Sequence, residues 1–147
     1  MAIVMVMVLY FAWALSWGGT VMLTCTMGDT DSLAGAMVIS IIFYLGGIAA
    51  LPWSRLSGVG MVIALPLVAL MLWQAIWGIR LFLVVNVAGR NACYLLVGLD
   101  YGAASGIEGI FAPYYILVSV GSLAAIAAAH WRHRRARRSM LPIDVVE

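Results

Sequence analysis

Four stretches of about twenty apolar residues constrain this chain more than any other feature of its sequence. They cover about residues 2–23, 33–51, 58–79 and 107–131. A helix needs roughly 20 apolar residues to cross a bilayer, and lipid leaves backbone polar groups unsatisfied unless a helix or a closed barrel pairs them. Because these stretches are apolar on all sides rather than at alternate positions, the sequence predicts an all-α membrane protein with four transmembrane helices in an antiparallel bundle.

The composition excludes two other classes of protein. Of the 147 residues, 65% are hydrophobic and only 10% are charged, whereas a soluble domain carries about 25% charged residues. Disordered chains combine low hydrophobicity with high charge, which is the reverse of what is found here. We therefore interpret residues 1–131 as one transmembrane domain and residues 132–147 as a basic tail.

The arginines predict the orientation in the membrane, because cytoplasmic loops are enriched in basic residues. With both termini in the cytoplasm, six of the eight basic residues lie on the inner side. They are Arg55 and the five arginines of the tail, Arg132, Arg134, Arg135, Arg137 and Arg138. The basic residues are all arginine, which indicates a GC-rich genome, so we expect a multi-pass protein of a bacterial inner membrane.

The arginine-rich tail also predicts a surface contact. A juxtamembrane cluster of basic residues attracts anionic lipids, so we expect the tail to anchor the chain to such lipids or to a partner's acidic surface. The basic segment is too short to indicate a nucleic-acid partner.

The segment between the third and fourth stretches, residues 81–106, is here called the third connection. It is long for a loop and too apolar for disorder, so two structures are open. It lies in the interface or dips back as a re-entrant segment, or the third helix continues to about Val87 with Arg80 snorkelling. The polar residues in and beside this connection form a cluster. In a transporter, four of them would line the outer mouth, namely Arg80, Arg90, Asp100 and Glu108, and Asn86 and Asn91 would help to bind the solute.

Two cysteines, Cys25 and Cys93, both fall on the predicted outer side. Thiols oxidise and stay oxidised in a periplasm, so one disulfide can join them. Alternatively they are two unpaired thiols that behave as small apolar residues. Quinone-linked, four-helix enzymes that form disulfides need two cysteine pairs, and this chain has only two cysteines, which disfavours a thiol-redox enzyme.

Small and polar residues recur at helical spacing in the first and fourth stretches. In lipid, such residues let helices approach closely, and they pack either the chain's own helices or those of a partner. The two sets are Ser16, Thr20 and Thr24, and Gly121, Ala125 and Ala129.

A third group, Trp73, Gln74 and Trp77, combines two aromatic rings with a lone polar side chain. It indicates either ordinary helix packing or contact with a lipid, a quinone or a pigment, and we predict no bound cofactor. Ionisable residues inside a span mark proton and ion pathways, and none lies in the interior of these four stretches. We therefore predict no catalytic residues, no metal site and no enzymatic activity of the chain alone.

The function most consistent with these features is that of a non-catalytic accessory or structural subunit of a larger inner-membrane complex. Respiratory, photosynthetic and secretion or conjugation assemblies contain subunits of this kind, and the expected partners are other membrane subunits. The alternative is a small transporter or channel that works as a homo-oligomer. A thiol-redox membrane enzyme is the third and least favoured class.

Overall fold

The chain is mostly helical in the computed structural model, which describes residues 1–26, 30–100, 102 and 106–138. The described residues contain five α-helices. They are α1 (Ala2–Gly19), α2 (Thr30–Ala50), α3 (Gly58–Phe82), α4 (Ala92–Leu96) and α5 (Glu108–Arg138). Two π-helical turns, Thr20–Thr26 and Leu83–Val87, prolong α1 and α3.

Four of these helical stretches are long and apolar enough to cross a membrane, which confirms the four predicted spans. They cover Ala2–Met22, Ala34–Trp53, Gly58–Val87 and Glu108–Arg137. The last helix runs past Trp131 without a break, so the boundary we drew between the transmembrane domain and the basic tail falls inside α5. Arginine is a good helix former, and the arginines therefore continue the helix that the apolar residues begin.

The third connection begins as a continuation of the third helix, which is one of the two predicted structures. The helix that begins with α3 continues to Val87 and ends there, as one alternative required. Gly89 follows two residues later with a φ of 68°, in the left-handed region. The chain then turns, and Asn91 begins α4 by accepting a hydrogen bond from the Tyr94 amide at 2.9 Å. This polar start fits the preference for asparagine at helix N-caps.

The link between α2 and α3 is short and well anchored. A 3-10 turn, Leu51–Trp53, ends α2, and the Ser57 side chain accepts a hydrogen bond from the Gly60 amide at the start of α3. Leu51 and Leu56 are both fully buried. The link joins α2 to α3 in the chain, although the two helices pack mainly on others, α2 on α1 and α3 on α5.

Glycines let α2 approach both α1 and α5. The Leu9 side chain of α1 lies over Gly47, where an added methyl group would come within 2.6 Å of it. On α5, Gly121 lies against the Ile48 side chain of α2. A methyl group added to Gly121 would be 3.1 Å from Cδ1 of Ile48. In lipid, helices associate by this kind of close packing rather than by the hydrophobic effect.

The contact of α3 with α5 is also close at a glycine. A methyl group at Gly78 would lie 3.2 Å from Cβ of Tyr115 and 3.4 Å from the backbone oxygen of Ala112. The Tyr10 hydroxyl group of α1 donates a hydrogen bond to the backbone oxygen of Ile63 in α3, at 3.1 Å. Each of the four long helices therefore packs directly on at least two others.

Candidate functional site

The structure joins Cys25 and Cys93 in a disulfide across 68 positions of sequence. Their Cα atoms are 5.3 Å apart, and both side chains are buried, at 5% and 2% exposure. The bond ties the π-helical turn that follows α1 to α4. The end of the molecule that contains this bond and the third connection is called the disulfide end below.

The polar side chains of the third connection bind its own backbone. The Asn91 side chain donates to the backbone oxygen of Gly102 at 3.1 Å and to the carboxylate of Asp100 at 3.4 Å. Glu108, only 6% exposed, accepts a hydrogen bond from the Ala92 amide at 3.2 Å. These contacts fold the connection onto itself.

The other predicted mouth residues also contact a backbone oxygen or an aromatic ring of the chain. Asn86 donates to the backbone oxygen of Gly109 at 3.3 Å. The guanidinium of Arg80 lies 5.5 Å from the Trp77 ring, and that of Arg90 lies 4.5 Å from the Tyr94 ring. Each of the six side chains therefore makes a contact within or beside the third connection.

Apolar side chains of the same region remain exposed. We call this set the apolar end surface; its members are between 38% and 69% exposed, and they are Leu83, Val87, Tyr94, Val97, Leu99 and Ile107. Asn86, Arg90 and Asp100 of the same region are exposed as well, so the disulfide end presents both apolar and polar side chains.

The small and polar residues of the two predicted stripes lie inside the chain. Ser16, Thr20 and Ala129 have no exposed surface, and Ala125 is 4% exposed. Gly121 lies against Ile48, as described above. The side chain of Thr24 lies outside the described part of the structure. The described members of the two stripes therefore contact other parts of the same chain.

Tyrosine hydroxyl groups connect these stripes across the helices. Tyr115 of α5 donates a hydrogen bond to the backbone oxygen of Ser16 at 3.1 Å and also hydrogen-bonds to the Thr20 hydroxyl. Tyr114 pairs with the Ser40 hydroxyl of α2 at 2.6 Å. Spacing within single helices did not identify the tyrosines, although their positions in the middle of apolar spans were a usable signal, since buried tyrosine hydroxyls need a partner.

Gln74 belongs to the same buried group. Its side-chain oxygen accepts a hydrogen bond from the Tyr44 hydroxyl at 3.4 Å, and its Nε2 is buried with no partner among the described residues. We call the set the buried tyrosine cluster; it comprises Tyr44, Tyr114 and Tyr115 with Ser16, Thr20, Ser40 and Gln74. It contains hydrogen-bonding groups but no carboxylate and no cationic side chain.

The tryptophans beside Gln74 pack as an aromatic group. The rings of Trp73 and Trp77 lie 4.7 Å and 6.2 Å from the ring of Trp17 on α1. Tyr115 lies 5.5 Å from the same Trp17 ring. The predicted contact group near Gln74 is thus part of the junction of α1, α3 and α5.

The arginines of the predicted anchor lie at the opposite end from the disulfide. We call the link between α2 and α3 together with residues 131–138 the arginine end. Arg132 donates to the backbone oxygen of Pro52 at 2.9 Å, while the side chains of Arg134, Arg135 and Arg137 are exposed. The side chain of Arg138 is outside the described part.

Neither protein-family models, nor curated proteins, nor solved structures show a match to this chain. Among the residues that the structure describes, no three His, Cys, Asp or Glu side chains are grouped to hold a metal ion.

Proposed function

We propose that the chain is a non-catalytic subunit of a larger membrane assembly and that the apolar end surface is where its partners bind. The observation that carries this proposal is the exposure of apolar side chains on a folded connection. Val97 and Leu99, which follow α4 and lie outside the four candidate spans, are 42% and 47% exposed. Contiguous exposed apolar surface is typical of contact with another protein or with lipid.

The third connection is well suited to present such a surface. The disulfide fixes α4 to the turn after α1, and the Asn91 and Glu108 side chains fix its backbone. A surface that is already ordered loses less conformational entropy on binding than a flexible loop would. The polar groups that could have lined a solute pathway are the ones that order it.

For the placement of the subunit we propose an antiparallel bundle in a bacterial inner membrane, with both termini in the cytoplasm. The arginine end would face inward, in keeping with the enrichment of basic residues on that side. The disulfide end would face an oxidising compartment, where a bond between Cys25 and Cys93 persists.

The alternative function, a homo-oligomeric transporter or channel, is favoured by one observation, the buried tyrosine cluster. Its hydroxyl groups and the unpartnered Nε2 of Gln74 offer hydrogen-bonding groups in the middle of the spans. A neutral polar solute could bind there. The cluster also serves to join the helices, and that role needs no solute.

Gentle detergent extraction from the native membrane separates the two functions. A tagged chain that migrates on a native gel in a large complex with other polypeptides supports the subunit. A chain that migrates alone as a small homo-oligomer contradicts it and leaves the transporter.

A second experiment tests the proposed contact surface. A photo-cross-linking amino acid at Val97 or Leu99, on the apolar end surface, is expected to capture a different polypeptide in the native membrane. The matched control is Val62 of α3, which is 69% exposed but lies within a span. Equal capture at Val62 and at the two test positions would contradict the assignment of this surface.

A further inference from the structure

A cleft opens at the arginine end between the α2–α3 link and the last turns of α5. Its volume is about 520 Å³. Aromatic and cationic side chains dominate its walls, which are formed by Trp53, Ser54, Arg55, Trp131, Arg132 and Arg135. The link and α5, which are far apart in sequence, each supply one tryptophan and at least one arginine.

Two of the guanidinium groups are held in place by the rings. Arg132 lies 5.0 Å from the Trp53 ring centre while it donates to the Pro52 backbone oxygen at 2.9 Å. Arg135 lies 3.8 Å from the Trp131 ring centre. Cation–π contacts of this kind restrict a long side chain before any ligand arrives. The cleft therefore offers cationic groups in defined positions.

The described carboxyl groups do not neutralise these arginines. Asp100 and Glu108 both make their hydrogen bonds at the disulfide end. Arg55, Arg132 and Arg135 thus face one cleft without a described anionic partner. Guanidinium groups bind phosphate oxygens strongly because they donate two parallel hydrogen bonds and keep their charge, so this chemistry favours a phosphate.

A second, apolar groove adjoins the cleft. Its apolar walls indicate which kind of phosphate compound would fit. The groove has a volume of about 310 Å³, and it shares Trp53, Trp131 and Arg132 with the cleft. Its remaining walls are Pro52 and Ala128, so it follows α5 toward the apolar part of the helix. A ligand that fills both spaces needs an anionic head and a hydrocarbon chain.

We propose that the cleft binds the phosphate headgroup of an anionic phospholipid and that one acyl chain of this lipid occupies the adjoining groove. The two tryptophans lie at the ends of apolar spans, where tryptophan is enriched at membrane interfaces. Basic pockets between transmembrane helices on the cytoplasmic side bind anionic headgroups. The lipid site is independent of whether the chain belongs to a larger assembly.

Lipid binding to the purified, delipidated full chain in a neutral detergent tests the site. Native mass spectrometry counts the bound lipids during titration with phosphatidylglycerol or phosphatidylcholine. We expect one phosphatidylglycerol to bind at least about tenfold more tightly than phosphatidylcholine. Arg135→Gln is expected to weaken this binding about tenfold, the loss typical of one charge-assisted hydrogen bond, and Trp53→Ala, at a 75% exposed position, is expected to weaken it as well.

The matched control is Arg134→Gln, which removes the same charge from the neighbouring, equally exposed position that does not line the cleft. We expect it to leave the affinity within about twofold. Equal losses for Arg134→Gln and Arg135→Gln would mean a diffuse attraction to the basic surface and would overturn the proposal. Equal affinity for the two lipids would overturn it too.

A third comparison distinguishes a lipid from a free phosphate. Ala128→Phe fills the groove without changing the charge, so it is expected to weaken phosphatidylglycerol binding. Millimolar inorganic phosphate is not expected to displace the lipid, because it cannot use the groove. Displacement by phosphate, together with no effect of Ala128→Phe, would show that the cleft serves a soluble anion and would refute the lipid site.

Discussion

The Tyr115 hydroxyl group connects α5 to α1 where neither helix has a charged side chain. It bonds to the Ser16 backbone oxygen and to the Thr20 hydroxyl, and the side chain is fully buried. We expect Tyr115→Phe to lower the free energy of unfolding by about 1 kcal/mol, since hydrogen bonds between membrane helices contribute about that much. Equilibrium unfolding in mixed micelles measures the change.

The control for this variant is Tyr94→Phe, which removes the same atom from a tyrosine that is 42% exposed. The ring contact of Tyr94 with Arg90 survives that substitution, so its stability should stay within about 0.3 kcal/mol of the unmodified chain. If the two variants unfold alike, the Tyr115 bonds do not stabilise the packing of α5 on α1.

Residue spacing predicted part of this cluster and missed the rest for a physical reason. Ser16 and Thr20 were noticed because they repeat along one face of a single helix, and both are buried. The hydroxyl groups of Tyr44 and Tyr115 bond to residues on other helices. Their hydrogen bonds span 30 and 99 positions of sequence, and such pairings depend on how the helices pack.

At the scale of elements, the approach of α3 to α5 depends on Gly78. A larger side chain there would meet Cβ of Tyr115 and the backbone of Ala112, which cannot move aside as a flexible side-chain end could. We expect Gly78→Leu to destabilise the chain by about 2 kcal/mol, the usual cost of overpacking a close contact. Thermal unfolding in detergent, followed by circular dichroism, reports the loss.

Gly46→Leu on α2 is the matched control, because nothing lies within 4 Å of a methyl group at Gly46 and the position is exposed. Its midpoint should equal or exceed that of the unmodified chain, since leucine favours a helix more than glycine does. A similar loss of stability in both variants would mean that replacing a glycine is itself destabilising, and that the contact of Gly78 with α5 is not the cause.

The four long elements could be predicted from the sequence because each is determined by its own apolar length. The third connection could not be decided in the same way. Its first helix ends at Val87, and α4 begins at Ala92 after the Asn91 cap. The hydrogen bond of Glu108 to the Ala92 amide and the disulfide of Cys93, however, involve distant parts of the chain. Such contacts choose between two local structures that the sequence allows equally.

At the scale of the whole molecule, charge and redox chemistry point to the same orientation by independent arguments. Most of the described arginines lie at the arginine end, opposite the disulfide, whereas Arg80 and Arg90 lie at the disulfide end. Basic residues favour the cytoplasmic side, and a disulfide favours the oxidising side. A chain inserted the other way would violate both preferences at once, so we expect a single orientation in the membrane.

Introduced cysteines test this orientation in a chain where Cys25 and Cys93 are replaced by serine. Leu99→Cys places a thiol at the disulfide end, and Gly58→Cys places one at the start of α3, with open space around it. A maleimide that does not cross membranes should label Leu99→Cys in intact spheroplasts. It should label Gly58→Cys only after the membrane is opened. Labelling in the opened membrane is also the control that this thiol can react. The reverse pattern would contradict the orientation, and labelling of both in intact spheroplasts would contradict a single topology.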